Sequence, residues 1–538
     1  MDQGCVLVNA DVHTMDPSRP RASAVAMAGG RITGSGDGDE LRSANPGARV
    51  VDLGGRVVIP GFVDAHCHFE LTTTHLSYAV PLHAPPHSSL REICQTLRDR
   101  ATSRPGSGWI VGRSNFGLHQ FVAERRPITR QDLDEAVPGR PVVVYSGLHV
   151  TTLNTAGLRA AGLLDGAVPP MGALIDLDTG RATELWSWLP QPEFGVDAVA
   201  AAMTGLGASM FTARGVTTIN DIVHSAEGVR AYQRLRREAR LPARIDLRFH
   251  SPRQLTSADL AATGLETGFG DSWLRLGGIK LFVDGAGHDL EHQTLVDLKW
   301  QQEELDAEVE AAHRAGLQLM MHVQSAQAVD MALLALERTL TRHPRADHRH
   351  RLEHAGDLPV DERRLSRMSA LGVVPVATPQ FIYSYGDAQP EASQPPLRSL
   401  HERGFRVPGN SDSTGTQPEA ANPFHGIWCA LTRRTRLGRE LAPEERIDLD
   451  TALRMFTADA AWACHLDDRG VLAPGKLADL VVLKTNPWQV PWMPSPASRS
   501  TRSGSAARSG SAGDRVDRGE RTRAAVRSPR RRPDSQAR

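Results

Sequence analysis

The chain has 538 residues, 40% hydrophobic and 23% charged, with Lys plus Arg equal to Asp plus Glu at 62 each. That length allows a large core and more than one domain, and the charge balance excludes a whole-chain field favouring nucleic acid or an anionic membrane. The five scattered cysteines, Cys5, Cys67, Cys94, Cys429 and Cys464, contain no Cys-X-X-Cys and suit free thiols in a reducing compartment rather than a disulfide framework.

Up to residue 58 the sequence reads as short β pieces at 5–9, 24–27, 31–33 and 49–53, parted by Gly, Pro, Asn and Asp turns. The apolar run Val57, Val58 and Ile59 then leads through Pro60-Gly61 into Phe62-Val63-Asp64-Ala65-His66-Cys67-His68. Alternate strand residues share a face, so His66 and His68 point the same way and suit one metal ion, while Cys67 faces the opposite side as a packed thiol. Residues 76–195 are rich in Pro, Gly and Arg and too long for one strand-to-helix connection, which predicts an inserted lid or subdomain.

From about residue 196 strand and helix alternate, the mark of a parallel sheet covered by helices. Strands are predicted at 216–220, 245–249, 276–283, 317–323, 351–354, 373–376 and 405–409. Helices are predicted at 228–240, 303–315 and 326–339, the last with Val329, Leu333 and Leu336 on one face. The tail from residue 495 holds 12 Arg against 4 acidic residues and almost no large apolar side chain, so it is expected to be disordered and without a nucleic-acid role.

Candidate ligands recur at the ends of successive strands: Lys280 within an apolar run, His322 after Met320-Met321, His354 after Arg351-Leu352-Glu353, and Asp412 after Asn410-Ser411. Each alone has an ordinary role as a core polar residue or a helix cap. Their order, each where a barrel strand meets its loop, points to a metal centre at the carboxyl end of a parallel barrel.

With these segments the chain resembles the amidohydrolase superfamily, and more closely its amidohydrolase family 3 branch. The resemblance spans roughly residues 5–490. It is carried by Pro60 to His68, by Lys280-Leu281-Phe282-Val283-Asp284-Gly285, by Arg351-Leu352-Glu353-His354-Ala355, by Asn410-Ser411-Asp412-Ser413, and by the run from Gly470 to Leu483. It implies an α/β fold: a (β/α)8 TIM-like barrel over 59–460 and a small β-sandwich built from 1–58 and 461–490, with a disordered basic tail over 491–538. It also implies two divalent ions, zinc foremost, His66, His68 and Asp412 holding one, and His322 and His354 the other. Lys280, carboxylated by carbon dioxide, would bridge the two. Asp412 would be the general base for a metal-activated hydroxide.

Glu184, ending Thr179-Gly180-Arg181-Ala182-Thr183-Glu184, and His149 with Asn154 resemble further branch motifs, and with Asp284 they are candidates for substrate contact or ligand support. His224, His288 and His292 are further pocket candidates, and Trp186 with Trp188 a candidate apolar wall. The sequence departs from the branch after His322, where Val323-Gln324-Ser325-Ala326 stands, and after Gly285, where Ala286-Gly287-His288-Asp289 stands. It departs again beyond Trp488, where further sandwich strands are expected and a shifted reading frame would account for the Arg-Ser-Gly tract.

The expected activity is hydrolysis of non-peptide carbon–nitrogen bonds in an amide, formamide or N-acyl amine. The alternatives are a single-metal deaminase and a catalytically degenerate barrel. The run Val323, Gln324, Ser325 lacks the glutamate such deaminases carry after this histidine. No stretch reaches about 18 apolar residues and the start lacks a basic signal region, so the expectation is a cytoplasmic protein acting on a small molecule, with no membrane partner and a possible homo-oligomeric state.

Overall fold

Seven strands run parallel in one sheet, in the order in which they occur in the chain: β1 (Phe62–Cys67), β2 (Val216–Ile222), β3 (Arg244–Ser251), β4 (Leu274–Phe282), β5 (Leu319–His322), β6 (Arg351–Glu353) and β7 (Val374–Val376). The structure is a computed structural model and describes residues 4–147, 149–169, 173–186, 188–189, 194–285, 298–358, 361–387, 395–417 and 419–492. Parallel neighbours need a crossover, and helices Ala226–Arg237, Gln302–Arg314, Ala326–Arg342 and Glu362–Leu371 supply four of them. Side-chain caps start two of these helices where the sequence offers a serine: Ser225 accepts from the Gly228 amide and Ser325 from the Ala328 amide. The helix Ala326–Arg342 buries Val329, Leu333 and Leu336 on one stripe, as its spacing predicts.

The sequence predicts an eighth strand at 405–409, and this segment is extended chain rather than a paired strand. Pro408 has no amide to donate, so a ladder there lacks one of its donors. It still lies along β1, because the Ala65 amide donates to the Gly409 carbonyl and the Asp412 amide donates to the His66 carbonyl. Asn410 reaches the other way, donating to the Ala377 carbonyl just past β7. The sheet is thus a curled seven-strand half-barrel of TIM-like form, with an extended segment between its two edge strands.

The segment between β1 and β2 holds a six-stranded sheet of its own. In sheet order it runs Ile175–Asp176, Arg181–Thr183, Val150–Leu153, Val142–Tyr145, Ile110–Arg113 and Val80–Pro81. Two apolar clusters support it, one around Ile93, Leu97 and Val142 and one around Val143, Leu153 and Leu185. The chain divides into two units, Gly61–Gly470 being the larger; residues 461–470 belong to it, since Ala461, Cys464 and Leu466 pack on Val63 and Ala65 of β1.

Of the described residues, the smaller unit takes 4–60 and 471–492. It has two four-stranded mixed sheets, and Leu480–Val482 is the strand that the C-terminal part adds, paired antiparallel with Val57–Pro60. Leu7 and Val25 of one sheet share a core with Val12 and Val58 of the other. The expected disordered tail, and His288 and His292, lie outside the described residues.

One helical run, Val196–Arg214, is long and apolar enough by length and composition to cross a membrane, although the sequence reading found no such stretch. Its apolar side chains have a packing role here. Phe211 meets Phe69 edge-on at 5.1 Å, and a π-turn over Met203–Gly207 brings Gly207 so close that an added Cβ would lie 2.3 Å from the Phe69 ring.

Candidate metal centre

His66 lies on β1 and His68 one residue beyond its end, where the helix Phe69–Tyr78 begins. Asp412 comes from the extended segment beside β1. The Asp412 carboxylate oxygen Oδ1 lies 3.5 Å from His66 Nε2 and 3.4 Å from His68 Nε2. Ligand atoms of these three residues all fall within 4.8 Å of one another, so they suit one metal ion. Asp412 has a left-handed backbone, φ 40°, which a non-glycine residue adopts only under constraint.

Burial acts on each member. It drives the His66 pKa down to about 3, aided by the nearby Lys280, and it also lowers His68. Burial alone would raise Asp412, but the hydrogen bond from His68 and the positive charge that the surrounding histidines take up in acid hold it below the usual carboxylate range. Two neutral imidazoles and one carboxylate at neutral pH are the protonation states that metal ligation requires.

Lys280 is fully buried on β4, with Nζ 3.4 Å from His66 Nε2. Burial brings its pKa down to about 8, and among the described residues no carboxylate comes within ion-pair reach of its amine. His354 stands just past β6 with φ 69°, and its ring centroid lies 5.3 Å from that of His66 and 4.8 Å from that of His322. His322 Nε2 lies 2.8 Å from the Gly285 carbonyl and donates to it, which leaves Nδ1 as the ring nitrogen with a lone pair. Asp284 accepts from the Gln324 amide at 2.9 Å and sits 3.8 Å from His322 Nε2. Lys280 and His354 therefore border the three-residue group, and His322 lies beyond His354.

The other candidates divide. His149 Nδ1 meets Glu184 Oε1 at 2.8 Å, and Lys299 pairs with the other Glu184 oxygen at 3.3 Å. The His149 ring is 5.3 Å from His322, so this pair from the inserted sheet borders the centre. Asn154 does not reach it. Its side chain caps the helix Thr155–Ala160 and bonds the backbone of Val137, Arg140 and Val142 within the insert. Trp186 is buried among Tyr145 and His75, and Trp188 packs at the edge of the same cluster.

Sequence reading passed over two supports of this group, Glu353 and Asp64. Glu353 Oε2 accepts from His66 Nδ1 at 2.6 Å and is clamped by Arg351, whose Nε donates to Oε1 at 2.8 Å and whose Nη2 donates to Oε2 at 2.9 Å. His224, a pocket candidate in the sequence, supports the group as well, its Nε2 hydrogen-bonded to His68 Nδ1 at 2.8 Å. Asp64 accepts from the Ser411 amide at 2.9 Å and so holds the residue before Asp412; burial raises its pKa to about 6. Glu353 was the one within reach of sequence reading, since it shares the face of β6 with Arg351 and precedes a candidate ligand.

The donor set fits a divalent ion: two buried imidazoles and a half-buried carboxylate, the imidazoles oriented from behind by a carboxylate and a histidine. The amidohydrolase family model matches residues 49–495 of the chain. The chain is 29% identical over 520 residues to the N-substituted formamide deformylase of Arthrobacter pascens, covering 90% of this chain and 93% of that protein. It is 28% identical over 521 residues to Protein LONG AFTER FAR-RED 3 of Arabidopsis thaliana, covering 90% and 87%. Among solved structures, an uncharacterized metal-dependent hydrolase from Pyrococcus horikoshii superposes with a TM-score of 0.71 at 23% identity, over 91% of this chain and 99% of that one, which shows a shared fold.

Proposed function

The chain belongs to the amidohydrolase family, in its family 3 branch, and from that premise we propose that this metal-dependent hydrolase cleaves non-peptide carbon–nitrogen bonds in small N-acyl or N-formyl amines. The observation that carries the reading is the convergence of His66, His68 and Asp412 at one point, with neutral imidazoles and an ionised carboxylate. The formamide preference draws on the deformylase relative, which the chain matches across nearly its whole length.

In this reading His66, His68 and Asp412 would hold one ion through their clustered atoms, and His322, His354 and Lys280 would serve a second. A bound divalent ion supplies Lewis acidity that polarises a carbonyl and brings the pKa of water toward neutrality. Glu353 keeps the His66 proton on Nδ1, so Nε2 presents its lone pair, and His224 does the same for His68. Asp412, ionised at neutral pH, accepts a proton from the attacking water and hands it to the departing nitrogen, which leaves as an amine. Lys280 would suit the bridging role, because its buried amine, with no ion-pair partner among the described residues and a pKa near 8, is partly neutral, and a neutral amine adds carbon dioxide as a carbamate with release of one proton. The extended 405–413 segment closes the half-barrel as an eighth stave, the two small sheets form the sandwich, and the inserted sheet covers the barrel mouth as a lid.

A second reading, a one-ion enzyme, is favoured by one fact: the three-residue group is complete without Lys280, His322 or His354. Metal analysis of reconstituted protein separates the two, with two ions per chain expected. Hydrolysis of N-formyl and N-acyl amines by that protein tests the activity. Failure of the metal-loaded wild type on every member of such a panel overturns the proposal.

A further inference from the structure

Three consecutive carbonyls follow Asp412, and each is captured by a different side chain. The Ser413 carbonyl accepts from the Thr72 hydroxyl at 2.6 Å and from the His68 amide at 3.2 Å. The Thr414 carbonyl accepts from Arg113 Nη2, and the Gly415 carbonyl lies 2.8 Å from His83 Nε2, which donates to it. Thr72 and His68 belong to the start of the helix that follows β1. Arg113 and His83 belong to the insert: Arg113 ends the strand Ile110–Arg113, and His83 lies two residues past Val80–Pro81.

Arg113 is an unusual strut. It is fully buried, yet among the described residues no carboxylate lies within ion-pair reach of it. Its other contacts are His75 Nδ1 at 3.2 Å and the faces of Tyr145 at 5.7 Å and Trp186 at 5.9 Å. Its Nε has no hydrogen-bond partner. A buried guanidinium without a counter-ion is a costly way to hold a surface loop. A cation aimed at backbone carbonyls is a firm way to fix a segment whose first residue, Asp412, has a left-handed backbone.

We propose that Arg113, seconded by His83, is a positioning residue that sets the Asp412 carboxylate by gripping the Thr414 and Gly415 carbonyls, so that the insert is part of the metal centre's frame as well as its cover. This rests on the reading of Asp412 as a metal ligand and proton carrier. The substrate meets neither side chain in this role. Arg113 acts through the backbone of the Asp412 segment, and loss of the grip loosens one ligand without removing any.

The test measures two quantities on full-length wild type, R113A, R113K and H83A: zinc affinity of the metal-free protein by chelator competition, and steady-state hydrolysis of an N-formyl amine. Circular dichroism and thermal unfolding show which variants are folded. R113A is expected to bind zinc 10–100-fold more weakly and to lose kcat by a similar factor with KM within threefold. R113K and added guanidinium are expected to restore part of both, and H83A to show a smaller loss in the same direction. Zinc affinity and kcat within threefold of wild type in folded R113A overturn the proposal. If R113A does not fold, unchanged values in both R113K and H83A overturn it. A wild type that binds zinc but hydrolyses nothing sinks the functional reading alone, and zinc affinity then still decides the role of Arg113.

Discussion

His66 and Glu353, 287 residues apart in the chain, meet in a 2.6 Å hydrogen bond that no solvent reaches. The Glu353 carboxylate is held ionised by Arg351 against the cost of burial, so it accepts the His66 proton and fixes the tautomer of the imidazole. Glu353→Gln keeps the shape and removes the charge. Zinc affinity is expected to fall by about 10–100-fold, as for other carboxylates behind a histidine ligand. The unpaired Arg351 also destabilises the fold, by an amount approaching the roughly 3–5 kcal/mol of a broken buried pair. Chelator competition and thermal unfolding read the two effects, and unchanged zinc affinity would falsify the supporting role.

Asp412→Asn keeps the volume and one oxygen donor but cannot take up a proton. The proposed base predicts a fall in kcat of about 10²–10⁴ with the metal largely retained. Steady-state kinetics on protein of measured metal content checks it. Undiminished turnover at full metal occupancy would remove Asp412 from the proton path.

Lys280 gives a pH prediction for loading. Burial lowers its pKa to about 8, so its neutral fraction rises as pH climbs through that value. Only the neutral amine takes carbon dioxide. Bicarbonate-dependent recovery of the second metal should therefore be about fivefold greater at pH 8 than at pH 7, following the neutral fraction. Lys280→Met should bind one ion and lose the bicarbonate dependence. Two ions per chain in Lys280→Met would count against the bridge.

Acid should unfold the metal-free protein early. Burial lowers the pKa values of His66, His68, His75, His224, His250, His322 and His350 below that of a free histidine. Between the unfolded value of 6.5 and these lower folded values, the unfolded chain binds more protons. Stability is then full above pH 6.5 and falls as pH drops, by up to about 1.4 kcal/mol per pH unit for each such histidine. Denaturant midpoints at pH 7.5 and pH 5.5 measure this, and equal midpoints contradict neutral burial of the set.

Gly278 on β4 has φ 133°, and an added Cβ would sit 2.1 Å from the Gln318 carbonyl oxygen at the start of β5. Gly278→Ala must either push the two strands apart or strain the backbone two residues before Lys280. A loss of about 1–3 kcal/mol in stability is expected, together with weaker binding of the second metal. Equal melting temperatures for the variant and the parent would show that the approach of these strands is looser than this geometry.

Features of short range in the chain were legible beforehand. Alternation along one strand shows that His66 and His68 share a face, and the stripe of Val329, Leu333 and Leu336 shows which side of its helix is buried. The parallel layer from β2 to β7 follows from the strand and helix alternation after residue 196. The extended form of 405–409 was less legible, because the alternation Phe405-Arg406-Val407 before Pro408 reads as a strand until its ladder is drawn.

Periodicity and residue chemistry act over a few positions, and they carried the kind of sheet, the identity of the candidate ligands and their order along the chain. Tertiary structure alone decided which of them share a point in space, that Glu353 backs His66, that His224 backs His68, and that the insert reaches the Asp412 segment through Arg113 and His83. Those contacts join residues separated by more than 150 positions, and their existence depends on strand register and the packing of a whole inserted sheet. No local pattern carries that information, since the energy that selects each contact comes from burying both partners together.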